Sequence, residues 1–155
     1  MEQRASTVSL ITPVAGLFDS WYALYETYAS ERGTSVDRRN GGQMWRWLLD
    51  GTYRIAGVLA VDTRRDVVGF AHYRPFPRTL HGDEACHIDD LYVAARMRES
   101  GLTDNLLAHV SSIARKRSCR EVHCPSSAAN GETHALYARV ASPLEVTTYR
   151  IAIDP

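Results

Sequence analysis

The sequence has 155 residues, with 18 basic and 18 acidic side chains and a formal net charge of zero. A chain of this length typically forms one domain around one core, and a neutral chain has no overall field that would draw it to nucleic acid or to an anionic membrane. The first 13 residues lack the apolar run of a signal peptide, no apolar stretch is long enough to span a bilayer, and the three cysteines do not have the spacing of zinc ligands. We therefore expect a single cytoplasmic domain over residues 1–155 without a bound metal.

Periodic patterns of apolar residues predict the order of the secondary-structure elements. In chain order they are a strand over 7–14, a helix over 17–28, a short helix over 44–48, a hairpin of strands over 53–62 and 67–73, a loop over 75–82, a strand over 85–93, a helix over 102–113, a strand over 121–124, a helix over 131–140 and a closing strand over 146–153. This order is typical of an α/β (α+β) fold in which about four helices flank a mixed, largely antiparallel sheet.

The segment from Asp89 to Thr103 combines a strand, a tight loop and the start of a helix. A helix N-terminus leaves backbone N–H groups unpaired and carries partial positive charge, so a loop containing Gly101 at this point suits a phosphate. Many strand-to-helix turns carry a glycine for steric reasons alone. Both interpretations stay open on these residues by themselves.

The same segment resembles the GCN5-related N-acetyltransferase family. That family's pattern is an apolar-aromatic-Val step, a spacer, then Arg or Gln, two residues, Gly, one residue, and Gly or Ala. Here 91–93 supplies the step, Arg98 and Gly101 match, and Thr103 departs from the pattern. Asn130 and Tyr137 also stand at a family spacing, and the acidic strand over 88–93 looks most like that of the polyamine and diamine acetyltransferases.

The resemblance implies a central sheet and helices of the family's fold, and direct transfer of an acetyl group from acetyl-coenzyme A to a primary amine of a small molecule. The residues that would bind the coenzyme are Leu91, Tyr92, Val93, Arg98, Glu99, Ser100, Gly101, Leu102, Thr103 and Asn130.

Two side chains are candidates for the proton transfers. A protonated amine must lose a proton before it attacks, and Asp89 stands where similar enzymes carry an acid, so it is the first candidate for the general base. Alternation along a strand should point Asp90 to the other face, so that only one of the two lines the cleft. Tyr137 would give a proton to the departing thiolate. The alternatives are a structural ion pair for either Asp and a core position for the tyrosine.

The acceptor amine should bind between the first two helices, the loop over 75–82 and the last strands. A mixture of rings and acids there would attract a cation by charge and by cation–π contact, and the candidates are Tyr25, Glu26, Tyr28, His81 and Glu84. Small-molecule amines are thus the expected partners, with neither nucleic acid nor membrane, and the family resemblance adds a homodimer.

Two departures from the family pattern support a different function. Glu99 replaces a small residue and would repel a pyrophosphate unless it turns outward, and Thr103 adds bulk at the start of the helix. The alternatives are a catalytically weak sensor that binds acyl-coenzyme A, and an unrelated α/β domain that shares only Arg98 and Gly101 with the motif.

Overall fold

The computed structural model describes residues 7–126 and 131–153. The chain divides into two compact units, Met1–Pro125 and Ser126–Pro155. In the described ranges no helix has both the length and the apolar character needed to cross a membrane. The single domain over residues 1–155 stays a prediction.

The first unit contains a mixed sheet, as predicted, with five of the six predicted strands. Its strands are β1 (Ser9–Ile11), β2 (Ala56–Val61), β3 (Val67–Arg78), β4 (Asp83–Val93) and β5 (Val122–His123), and they lie in the order β1-β2-β3-β4-β5. The first four strands pair antiparallel, whereas β5 runs parallel to β4. The sheet is therefore largely antiparallel, with one parallel pair at its edge.

Three helices of the first unit cover the two faces of this sheet. They are α1 (Phe18–Glu31), α2 (Arg38–Asp50) and α3 (Leu102–Lys116). On one face, Leu59 and Phe70 pack against the aromatic side chains of α1 and α2. On the other face a Cβ added to Gly69 would lie 3.2 Å from Leu106 of α3. Since neighbouring residues of a strand point to opposite faces, α3 lies across the sheet from α1 and α2.

The prediction of a loop over 75–82 is wrong for residues 75–78, because β3 continues through Pro75 and Pro77 to Arg78. Pairing between β2 and β3 ends at Ala56 and Tyr73, so among the described residues the prolines lie where β3 has a strand on one side only. Proline lacks an N–H and is tolerated at such an edge. The turn joining β3 to β4 is correspondingly short and ends at Gly82, which has a φ of 65°.

The second unit contains helix α4 (Gly131–Val140), as predicted. The closing strand predicted over 146–153 is wrong, because residues 141–153 form neither helix nor strand. Alternation gives a segment two distinct faces, but a strand also needs a neighbour to complete its hydrogen bonds. Val146, Tyr149, Ile151 and Ile153 are exposed.

Candidate functional site

A β-bulge interrupts β4 at its acidic residues. Its partner strand pairs His72 with Asp90 but the next residue, Tyr73, with Ile88, so Asp89 has no partner of its own. An extra residue of this kind changes the phase of the side chains and bends the strand. Asp89 and Asp90 consequently line the same cavity. The prediction that only one of them does so is wrong, because it assumed a regular pleat.

That cavity, here called the acidic cavity, has a volume of about 350 Å³. Helix α1 and the chain after it form one wall and β4 forms the other. Its lining residues are Tyr25, Tyr28, Ala29, Arg32, Thr34, Ser35, Val36, Asp89 and Asp90. It therefore places two carboxylates, one guanidinium and two phenols around a space suited to a small molecule.

Asp90 is held by two hydrogen bonds from inside the protein. The Tyr28 hydroxyl donates to Oδ1 at 2.7 Å, and Nδ1 of the buried His72 lies 2.8 Å from Oδ2. On the far side of the imidazole, Trp21 donates its indole N–H to Nε2 at 3.0 Å. Burial disfavours the charge of Asp90, but the bonds from His72 and Tyr28 outweigh it and hold the pKa of this carboxyl below its usual value. Asp90 is thus ionised at neutral pH.

Asp89 has a different environment. Nε of Arg74 lies 3.2 and 3.1 Å from its two carboxylate oxygens, and Nε2 of His87 lies 3.7 Å from Oδ1. Asp89 is exposed whereas Asp90 is half-buried. The ion pair considered as an alternative for Asp89 is therefore present, and the same carboxylate also borders the acidic cavity.

The phenols and the guanidinium of α1 complete the cavity. Burial, followed by the negative charge of Asp90, raises the pKa of both Tyr25 and Tyr28, so both phenols stay neutral. The guanidinium carbon of Arg32 lies 5.1 Å from the centre of the Tyr28 ring. Within the part of the chain that the structure describes, no carboxylate forms an ion pair with Arg32. Its charge is available to a bound molecule.

The outer edge of β4 is the second element of the candidate site. The ladder to β5 covers Cys86 and His87, and the Glu84 carbonyl accepts from the Arg120 N–H, so beyond His87 β4 is paired with β3 alone among the described residues. The Tyr92 side chain turns back to donate to Glu31 Oε1 at 2.8 Å. Unpaired main-chain groups of this edge can accept an extended ligand as a further strand does.

The loop after β4 leads into the N-terminus of α3. A 3₁₀ turn (Ala95–Ser100) is followed by Gly101, whose φ of 78° is left-handed, and α3 then starts at Leu102. No side chain caps α3 within the described residues, which leaves its first N–H groups for an anion. Glu99 is exposed, Thr103 is half-buried, and Ser100 donates to the Met97 carbonyl at 2.6 Å.

The Arg98 side chain connects this loop to α1 through an ion pair with Glu31. Its guanidinium lies 2.7 Å from Glu31 Oε2 and 3.4 Å from the Tyr92 hydroxyl. These contacts join the C-terminal end of α1, the end of β4 and the loop before α3. The Arg98 side chain therefore positions the loop.

Three predicted acceptor residues lie away from the acidic cavity. Glu26 is exposed on α1, His81 lies in the turn between β3 and β4, and Glu84 pairs with Arg54 at 2.7 Å. Because β3 and β4 extend beyond the predicted loop, Asp83 at the end of the hairpin is six residues from Asp89, or about 20 Å of strand. His81 and Glu84 are thereby placed with the turn rather than with the carboxylates.

Sequence reasoning missed three residues near the carboxylates. Arg32 follows Tyr25 and Tyr28 at helical spacing, so the periodicity of α1 contained a signal for it. His72 and Trp21 carried no comparable signal, because the hydrogen bonds from Trp21 to His72 and from His72 to Asp90 join three separate elements and depend on the bulge.

Two predicted residues belong to the second part of the chain. Tyr137 is half-buried in α4, and its carbonyl accepts a hydrogen bond from the Ala141 N–H at 2.8 Å. Asn130 lies outside the described residues. The roles assigned to both stay predictions.

Comparison with known proteins places the chain among acetyltransferases. The model of the acetyltransferase (GNAT) family matches residues 18–141. The D-amino-acid N-acetyltransferase HPA3 of Saccharomyces cerevisiae is 28% identical over 133 residues, which cover 85% of this chain and 83% of that protein.

Solved structures show the same fold. The ribosomal-protein-alanine N-acetyltransferase from Brucella melitensis biovar Abortus 2308 has a TM-score of 0.77 at 19% identity, with 96% of this chain and 100% of that chain covered. The aminoglycoside N-acetyltransferase AAC(6')-Iy in complex with CoA has a TM-score of 0.81 at 16% identity, with 99% and 100% covered.

Proposed function

Because the chain belongs to the acetyltransferase (GNAT) family, we propose that it transfers an acetyl group from acetyl-coenzyme A to a primary amine that enters the acidic cavity. The main support for this proposal is strand β4. This one strand supplies both the carboxylates of the cavity and the open edge beside the N-terminus of α3. A cation site and an anion site therefore meet along a single strand.

The coenzyme is proposed to lie along the outer edge of β4 and over the start of α3. The main chain of 91–93 would pair with the pantetheine arm, and the N–H groups of 98–103 would hold the pyrophosphate. The left-handed Gly101 and the uncapped helix support this assignment. Glu99 turns outward into solvent, so the carboxylate that departs from the family pattern does not fill the loop. Asn130 keeps its proposed role beside the pantetheine. When bound, the coenzyme supplies the activated acetyl group.

The two carboxylates are proposed to have different roles toward the amine. Asp90, whose pKa is lowered, holds the ammonium by charge, with the rings of Tyr25 and Tyr28 beside it. Asp89, which is exposed, accepts the amine proton and passes it to solvent. As the new C–N bond forms and the C–S bond breaks, Tyr137 gives its proton to the departing thiolate.

The acceptor is proposed to be an amino acid or a similar zwitterion. The acidic cavity carries Arg32 beside its two carboxylates, so it offers a counter-charge to a carboxylate as well as to an ammonium. The name of the yeast relative, a D-amino-acid N-acetyltransferase, agrees with this chemistry. Glu26, His81 and Glu84 are left out of the proposed site because they lie outside the cavity lining.

A cytoplasmic location and a homodimer remain part of the proposal. Cys86 and Cys119 are free thiols, which agrees with a reducing compartment, and burial raises the pKa of Cys86 to about 11.

Two measurements on one sample test the function. Titration calorimetry with acetyl-coenzyme A should give binding, and chromatography should detect coenzyme A release that depends on an added amine. Both enantiomers of an amino acid should be compared with the corresponding amine that lacks the carboxylate and with a polyamine. Binding without release would favour the acyl-coenzyme A sensor, and absence of binding would refute the proposed coenzyme site.

A further inference from the structure

We propose that Trp21 and His72 are positioning residues that fix Asp90 as the anionic anchor for the acceptor's ammonium group. This role rests on the proposed function, since it requires an amine in the acidic cavity. The proposal gives a role to two buried side chains that do not line the cavity.

The hydrogen-bond directions along the Trp21–His72–Asp90 chain are set by its first member. An indole N–H is a donor only, so His72 Nε2, 3.0 Å away, must accept and therefore carries no proton. The proton of the neutral imidazole is then on Nδ1, and it is donated to Asp90 Oδ2 at 2.8 Å. One tautomer of His72 satisfies both neighbours.

The imidazole is also held in orientation by packing. His72 and Trp21 are both fully buried. The Phe70 ring stacks on His72 with centroids 4.6 Å apart and planes 10° apart, and the Tyr25 ring meets it edge-on at 5.6 Å. A second proton on His72 would point at the buried indole N–H. The ring is therefore built to direct Asp90 rather than to receive the substrate's proton.

Asp90 remains able to bind an ammonium while it is held from behind. Each carboxylate oxygen has about two acceptor sites. The described donors use one site on Oδ1, through Tyr28, and one on Oδ2, through His72. The side chain keeps 18% of its surface exposed, and that carboxylate lines the acidic cavity. The remaining acceptor sites are thus oriented by the buried His72, which does not line the cavity, and by Tyr28, which does.

Three variants test this role. His72→Phe removes the Nδ1 donor, whereas His72→Asn keeps an amide donor at about the same place on the side chain. Trp21→Phe removes the indole N–H and frees Nε2 of His72. Circular dichroism and the affinity for acetyl-coenzyme A should first show that each variant is folded.

We expect His72→Phe to raise KM for the amine at least tenfold with little change in coenzyme affinity, and His72→Asn to recover most of that loss. Trp21→Phe should raise KM less, because the Nδ1 tautomer becomes one of two. Folded His72→Phe protein with an unchanged KM, or a His72→Asn variant as impaired as His72→Phe, would overturn the proposal.

Nitrogen-15 NMR of labelled histidine gives a second readout that needs no turnover. In the wild-type protein His72 should be neutral with its proton on Nδ1, and Trp21→Phe should add the other tautomer. A wild-type His72 protonated on Nε2 would refute the arrangement even in an active enzyme. The expected tautomer in a protein that acetylates no amine would instead reject the proposed function and leave the hydrogen-bond chain intact.

Discussion

Asp90→Asn separates the charge of the anchor from its shape. The amide is isosteric, its oxygen can accept from His72, and its nitrogen can donate to the Tyr28 hydroxyl, which both donates and accepts. The fold around the acidic cavity should therefore survive. Only the negative charge toward the substrate is lost.

The expected rise in KM for the amine follows from the charge that Asp90 places at the cavity. Two unit charges 4 Å apart interact by about 4 kcal/mol at an effective dielectric constant of 20. Water at the open side of the cavity weakens this charge–charge attraction. Hydrogen bonds to charged groups contribute about 1.5–3 kcal/mol, which is the range expected here. Each 1.4 kcal/mol is a factor of ten, so KM for the amine should rise about 10- to 100-fold.

Steady-state kinetics at saturating acetyl-coenzyme A gives this value, with coenzyme affinity measured separately by calorimetry. Asp89→Asn is the matched control, because it removes the neighbouring charge from a carboxylate already paired with Arg74. It should lower kcat more than it raises KM, as expected for the proposed base. An Asp90→Asn enzyme with KM within twofold of wild type would refute the anchoring role. Equal changes of kcat and KM in the two variants would refute the assignment of separate roles to Asp89 and Asp90.

Three further substitutions test other parts of the proposal. Arg32→Gln should raise KM for an amino acid about tenfold and leave KM for the amine without a carboxylate nearly unchanged; equal effects on both would remove Arg32 from carboxylate binding. Gly101→Asp should weaken the calorimetric affinity for acetyl-coenzyme A at least tenfold, while the neutral Gly101→Asn, which also tolerates the left-handed φ, should weaken it less; similar losses would mean that charge is irrelevant there. Tyr137→Phe should reduce kcat about tenfold or more at unchanged coenzyme affinity, and full activity would exclude the tyrosine as the acid.

Most of the fold could be predicted because each element carries its own pattern. The apolar periodicity of α1 and α3 and the apolar runs of β2 and β3 are local, and the structure confirms those elements. The two wrong predictions concern pairing. Pro75 indicated a loop, but β3 tolerates it where one side is unpaired among the described residues, and the segment 146–153 alternates like a strand but forms none.

The candidate site was only partly predictable, for a related reason. Tyr25 and Tyr28 follow from residue type and spacing, Asp89 follows from the family resemblance, and the three meet in one cavity. His81 and Glu84 were misplaced with the predicted loop. The place of Asp90 depends on the bulge, which is a property of two paired strands and has no signature in β4 alone.

The bulge in β4 makes the acidic cavity depend on the number of residues in the strand as well as on their identity. Removing Asp89 would restore the regular pleat, because Ile88 and Asp90 would then pair with consecutive residues of β3. In contrast, Asp89→Ala would keep the count and therefore the phase of the strand. A comparison of related chains by residue identity alone would score these two changes alike, although only the deletion alters the architecture of the cavity wall.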